Sequence, residues 1–405
     1  MLVLALDVKV RITAEIQIGR PVSSFQFPVS GLDRHCVPPS EMVAEVCMGR
    51  LHYLSSEPLA PRTSLELGGS AESLVEVTSV PELTEALEWA KDSGRTIWVL
   101  GGGSNVVIAD EGVAGLVLVP GLRGIDIDRS GNGAVVVAGA GETWDELVAL
   151  TVSEGLLGLE CLSGIPGTVG ATPIQNVGAY GVEVSDVLEW VEIIDRKAGF
   201  VSRLSPMQCS FGYRTSFFRQ NPDRSIVTRV AFRLRTTGRP VIRYPEVEKA
   251  VGGGGIPPDA MTVRDVVMDL RRGKGMVLES GVPRSVGSFF VNPIVDAQGL
   301  AAVEAAAGDG SVVPRYSVGD GVFKIPAAWL IENSGFARGH RQGAVGISEH
   351  HALALVHHGG GRTKDLLDLA ASIQDGVDRR FGLRLRPEPV FWGFTDSDPL
   401  DGAVS

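Results

Sequence analysis

Short apolar runs and amphipathic stretches follow one another from about residue 59. Thr96–Leu100 is an apolar run of strand length. Further strands are predicted at Leu74–Val77, Leu116–Val119, Ala134–Ala138, Trp190–Asp195, Ile226–Arg235 and Ala352–His357. Helical spacing predicts helices from Ser79 to about Asp92, Thr143 to about Glu154, Thr262 to about Arg272, Ala327–Asn333 and Thr363–Phe381. The first two open on capping-box patterns, Ser79-Val-Pro-Glu82 and Thr143-Trp-Asp-Glu146, and Gly94 stops the first. The mixture shows no internal repeat and reads as several α+β units.

Two glycine-rich segments break this pattern. Gly101-Gly102-Gly103-Ser104-Asn105 joins the run at Thr96 to a second short strand beginning at Val106. Successive glycines let backbone N–H groups approach an anion, so the loop reads either as a phosphate cradle or as a plain turn. It is not a P-loop, because no Lys-Ser or Lys-Thr follows. Val106 stands where the third glycine of a Rossmann fingerprint belongs, and a strand follows instead of a helix. The second segment, Leu159–Gly181, is glycine-rich yet apolar throughout. A disordered linker would be more polar, so this one is expected to lie against something flat that needs close backbone approach.

Composition narrows the class. The chain has 405 residues, 44% hydrophobic and 21% charged, which is a soluble globular composition with room for two or three domains. Its 37 basic and 48 acidic residues leave a net charge of −11, which disfavours a general nucleic-acid binder. Cys36, Cys47, Cys161 and Cys209 form no C-x-x-C pair, as suits a reducing compartment. No apolar run has membrane-spanning length, and Met1–Leu6 is too short for a signal peptide. Residues 1–56 read as an extension with no assigned role, with Met48 as an alternative start. His350, His351, His357 and His358 flank one strand without the Cys or carboxylate set of a metal site, so no metal is expected and the pairs read as solvated strand ends.

Six separated motifs then coincide in order and spacing: Leu100–Asn105, Gly164–Gly170 with Gln175–Gly181, Gly212-Tyr-Arg214, Gly287–Phe290 with Asn292-Pro293, Ala328–Ile331, and Pro387–Val390. In these the chain resembles the UDP-N-acetylenolpyruvoylglucosamine reductase family from about residue 57 to about residue 394. The resemblance implies an α+β fold with a two-part FAD-binding region of the vanillyl-alcohol-oxidase kind and a C-terminal α+β substrate-binding domain. The first lobe would be 57–120, completed by 386–394. The second would be 121–273, the substrate-binding domain 274–385, and 395–405 a loose tail. The implied reaction is NADPH-driven, FAD-dependent reduction of UDP-N-acetylglucosamine enolpyruvate to UDP-N-acetylmuramate. That would place a monomeric protein in the cytoplasm, in peptidoglycan precursor synthesis, with no nucleic-acid or membrane partner.

The resemblance also implies roles for residues. Gly101, Gly102, Gly103, Ser104 and Asn105 would hold the FAD diphosphate. Gly164, Ile165, Pro166, Gly167 and Gly170 would line the cofactor, together with Gln175, Asn176, Gly178, Ala179, Tyr180 and Gly181. Arg214 would stabilise the enolate and carboxylate, as a bidentate guanidinium suits a planar carboxylate. Glu388 would polarise or hold a proton beside that carboxylate, although Pro-Glu-Pro by itself reads as a solvated loop. Ser288 would be the proton donor, and Tyr244, Lys274 and Asn292 would contact the substrate's diphosphate and uridine. Cys161 reads as an apolar core cysteine, consistent with non-covalent FAD. Two other readings remain: a flavin oxidase of a sugar or alcohol on the same scaffold, and a nucleotide-binding module without chemistry.

Overall fold

The computed structural model describes residues 51–129, 131, 133–252, 257–279, 284–308, 310–395 and 398–401, so most of the expected extension lies outside the described residues. The strand Leu54–Pro58 straddles the boundary expected at 57, because it pairs antiparallel with Ser70–Val77. Ser70–Val77 continues into a sheet with Val113–Pro120 and Ile97–Val99, all parallel. Val75, Leu116 and Leu118 meet the helix Val80–Asp92 on one side, while Leu74 and Val117 pack on the other. Strands covered on both faces read as near-continuous apolar runs, which is why these were visible in the sequence. Ser79 caps the helix as expected, accepting from Glu82 N, but Glu82 reaches back to Thr78 rather than to Ser79.

The second lobe is a five-stranded antiparallel sheet in the order Val201–Leu204, Leu188–Asp195, Ser225–Leu234, Ala134–Gly139, Ile125–Asp128. The helices Trp144–Ser153 and Ala260–Gly273 pack with it around Trp144 and Phe232, in a core shared with the first lobe's helix. The capping box expected at Thr143 does not form, since its side chain caps nothing. The backbone strand contact between Thr143 and Thr168 replaces it, with Trp144 N donating to Gly167 O at 3.0 Å. Asp145 turns instead to the Gly164 N–H and Arg264.

The C-terminal part holds an antiparallel sheet of Arg284–Ser288, Ala354–His357, Val345–Ile347 and Arg341–Gln342, and a smaller sheet of Ile294–Asp296, Val322–Lys324 and Tyr316–Gly319. The helices Ala327–Asn333 and Thr363–Phe381 have the predicted bounds, and Gly382 in the left-handed region ends the second. Leu65, Leu67 and Val107 of the first lobe enter this core.

Two expectations change here. His357 is buried, not solvated. Its Nδ1 lies 3.0 Å from Leu65 O, and its Nε2 accepts from Gly361 N. The tail is not wholly loose, because Leu400 is 1% exposed in the C-terminal core and its carbonyl accepts from Arg384. Among the described residues no helix is long and apolar enough to cross a membrane, and no cluster could hold a metal ion.

The return of the chain matters most. Val390–Trp392 runs parallel to Val106–Ile108, the strand that leaves the first glycine loop. Just before it, Glu388 N donates to Phe289 O at 2.8 Å, and Val291 N donates to Arg386 O. One segment therefore ties the first lobe to the strand end that carries Ser288.

Candidate active site

The loop from Gly101 to Asn105 is glycine-rich because other backbone crowds it. Gly103 adopts φ +63°, and a Cβ there would lie 2.0 Å from Arg62 O. A Cβ on Gly102 would lie 2.6 Å from the Cα of Gly167, in the second glycine segment. Ser104 Oγ donates to Pro166 O at 3.2 Å, so the two segments are locked together. Among the described residues, none of the five backbone N–H groups from Gly101 to Asn105 has an acceptor. A run of free N–H groups is a nest for an anion. The loop borders a cavity of about 280 Å3. A second cavity of about 630 Å3 shares Gly101, Thr168, Arg219 and Trp392 with it. An elongated dinucleotide needs such a groove on both sides of its diphosphate, so FAD fits the residues present.

The first cavity collects the expected chemistry. Arg214, Ser288 and Glu388 all line it, although they lie on three separate segments. Glu388 Oε1 is 3.3 Å from Arg214 Nε, and the glutamate side chain is only 13% exposed. Burial pushes the Glu388 carboxyl up, against the pull of Arg214 and Arg219. Arg214 sits at φ +54°, in a turn closed by hydrogen bonds between Gly212 and Thr215, and donates to Gly178 O at 2.9 Å. A non-glycine residue in that region is strained, and here the strain aims a guanidinium at the cavity. Phe289 and Phe290 are buried and anchor the strand end. Alternation along the strand then turns Ser288 away from the Phe289 side, and its hydroxyl has no partner among the described residues.

The expected substrate contacts Tyr244, Lys274 and Asn292 line neither cavity and are already engaged with the protein. Lys274 Nζ pairs with Glu246 at 2.6 Å and lies 5.3 Å over the Tyr180 ring. Tyr180 meets Tyr244 edge-on at 5.6 Å. Burial raises the Tyr180 hydroxyl to about 12. Asn292 Oδ1 accepts from Ala327 N at 2.8 Å, at the start of the helix Ala327–Asn333.

Several functional candidates escaped the sequence reading. Arg219 bridges Gln175 and Glu388 O. Lys324 lies 4.9 Å over the Tyr213 ring, and Tyr316 faces Tyr244. Arg271 is 8% exposed and lines the first cavity, and its buried Nε has no partner. That cation would suit an electron-rich group in the cavity. Only Arg271 left a signal, in the basic cluster Arg271-Arg272-Gly273-Lys274.

Of the second glycine segment, Ile165, Pro166, Gln175 and Gly178 line the first cavity. Gly170 lines the second cavity. Gly164, Gly167, Asn176, Ala179, Tyr180 and Gly181 line neither. Asn176 is 1% exposed and acts as a brace, donating to Glu183 at 2.7 Å and to Gly212 O, and accepting from Ser185 N. Ala179 pairs with Val182 in a short hairpin around Tyr180 and Gly181. Cys161 is buried in apolar surroundings that raise its thiol to about 12.

A two-lobed groove with an anion nest, and an acid–guanidinium pair beside it, define an FAD-binding oxidoreductase. Residues 71–205 match the FAD binding domain family model, and residues 278–392 match that of the UDP-N-acetylenolpyruvoylglucosamine reductase C-terminal domain. The UDP-N-acetylenolpyruvoylglucosamine reductase of Saccharopolyspora erythraea is 46% identical over 82% of this chain and 93% of its own length. That of Thermobifida fusca is 46% identical over 85% of this chain and 99% of its own. The crystal structure of UDP-N-acetylenolpyruvylglucosamine reductase from Thermus caldophilus superposes with a TM-score of 0.58 at 28% identity, covering 85% of this chain and 99% of that one. The chain belongs to the UDP-N-acetylenolpyruvoylglucosamine reductase family.

Proposed function

We propose that this protein reduces UDP-N-acetylglucosamine enolpyruvate to UDP-N-acetylmuramate, using NADPH and non-covalently bound FAD. The reading rests above all on the Arg214–Glu388 pair, which shares one cavity with Ser288 and the glycine loop. Bound FAD supplies a hydride relay from the reduced nicotinamide to the enolpyruvyl double bond. The free N–H groups of Gly101–Asn105 would hold the cofactor's diphosphate, and Ile165, Pro166, Gln175 and Gly178, which line the same cavity, would wall it in. Arg271 lines the same cavity and would offer its positive charge to an electron-rich part of the cofactor.

Arg214 binds the enolpyruvyl carboxylate and stabilises the enolate that forms beside it. Burial pushes the Glu388 carboxyl up against the pull of Arg214 and Arg219, which eases a proton onto it and lessens its repulsion of that carboxylate. The Ser288 hydroxyl delivers the proton to the enolate carbon. Lys274, Lys324, Tyr244 and Asn292 receive the diphosphate and uridine, with Lys274 exchanging its Glu246 partner for phosphate. The same reading has the protein act as a monomer in the cytoplasm, in peptidoglycan precursor synthesis and so in cell shape and division.

Anaerobic stopped-flow absorbance tests this. NADPH bleaches the flavin and the enolpyruvyl substrate restores it. Ser288→Ala is expected to leave bleaching within about twofold and slow restoration ~100-fold or more. Equal losses in both halves would remove Ser288 as the proton donor.

A further inference from the structure

Arg219 is a charged side chain that touches both Gln175, the partner of Asn105 in the first glycine loop, and Glu388, the acid of the cavity. It sits on the short helix Phe217–Gln220. Ser216, fully buried, accepts from Phe218 N and Arg219 N and donates to Ile174 O, while Phe218 is buried. The arginine is thus pinned at its base. Its Nη2 donates to Glu388 O at 2.9 Å, and its Nη1 donates to Gln175 Oε1. Asn105 Nδ2 donates to the same oxygen at 2.8 Å. With Oε1 taking two donors, the Gln175 amide has one orientation, and its Nε2 must face Glu388 Oε1, 3.3 Å away.

We propose that Arg219 is a positioning residue for Glu388: it clamps the glutamate's main-chain carbonyl and, through Gln175, its carboxylate, and so ties the acid to the cofactor loop at Asn105. The inference rests on the reading of Glu388 as a participant in the second half-reaction. Arg219 does not need to touch substrate for this. The groups that bear on the Glu388 charge are Arg214 and Arg219 as cations and Tyr213 as a nearby phenol, with Lys324 facing Arg214. Removing the Arg219 charge therefore favours protonated Glu388, and the proton-dependent step keeps its protonated form to higher pH.

The test uses FAD-loaded full-length protein, with each half-reaction followed from pH 5 to 9 in wild type, Arg219→Gln, Arg219→Lys and Glu388→Gln. In FAD-saturated protein, Arg219→Gln is expected to affect reduction by NADPH far less than reoxidation. It should slow reoxidation by the enolpyruvyl substrate ~10- to 100-fold and move its pH midpoint up by about one unit. Arg219→Lys should restore the midpoint, because it keeps the charge, while recovering only part of the rate, because it cannot hold both oxygens. Unchanged reoxidation in both Arg219 variants overturns the proposal, given a defective Glu388→Gln. Loss of FAD with equal slowing of both halves also overturns it and makes Arg219 a cofactor-binding or structural residue. Normal reoxidation in Glu388→Gln overturns the underlying reading, and the proposal with it.

Discussion

The two glycine-rich segments look alike in sequence and act differently in the structure. Gly101–Asn105 leaves its five backbone N–H groups without acceptors among the described residues. The 164–181 segment commits many of its polar groups to the protein. Gly164 N goes to Asp145, Val169 N to Glu142 O, Gly170 N to Ala140 O, and the Asn176 side chain to Glu183 and Gly212. The first segment can receive an anion. The second is a built wall that presents Ile165, Pro166, Gln175 and Gly178 to the cavity. Glycine content marks close backbone approach, and it does not say whether the neighbour is a ligand or the protein itself.

The largest break in this comparison should come from Gly102→Ala. Its Cβ would lie 2.6 Å from the Gly167 backbone, so the loops must part and the nest opens. FAD affinity should fall ~100-fold, read by flavin fluorescence on titration of apoprotein; an unchanged affinity would detach this loop from the cofactor. Asn176→Ala should act on stability instead, because it leaves buried partners unpaired. A loss of about 2 kcal/mol in denaturant unfolding is expected, and a loss of FAD affinity without any loss of stability would reverse the assignment of Asn176 as a brace. The smallest effect concerns pH. Burial works against the Asp145 charge, yet Arg264 and the Gly164 N–H hold its carboxyl below the usual value. A lowered carboxyl pKa stabilises the fold above the unfolded-state value of about 4, and this support is lost as pH falls through the folded-state value. The thermal midpoint should therefore drop less steeply below pH 4 in Asp145→Asn than in wild type. Parallel curves would mean that this anchor of the second segment carries no charge-dependent support.

Much of the scaffold was legible locally. The helices Ala327–Asn333 and Thr363–Phe381 came out at their predicted ends, because apolar spacing and stop signals lie within the elements themselves. The Thr143 capping box misled, since a capping pattern cannot know that Thr143 will enter a strand contact with Thr168. The tail misled too, as an acidic composition hid Leu400, which docks in the C-terminal core. Motif order named Arg214, Ser288 and Glu388 together, but Arg219, Lys324 and Tyr316 carried no local sign of their place at the cavity.

What the sequence determined alone is many of the helices and core strands, the two glycine segments and the order of motifs, all of which depend on neighbours a few residues apart. What only the tertiary structure decided is the state of Glu388. Between two prolines it reads as a solvated loop residue, and nothing nearby in the chain would raise its carboxyl. The return strand Val390–Trp392 draws it in beside Phe289, Arg214 and Arg219, whose segments lie far away in sequence. Burial and charge pairing depend on distance through space, so the acid acquires its character only when those segments meet.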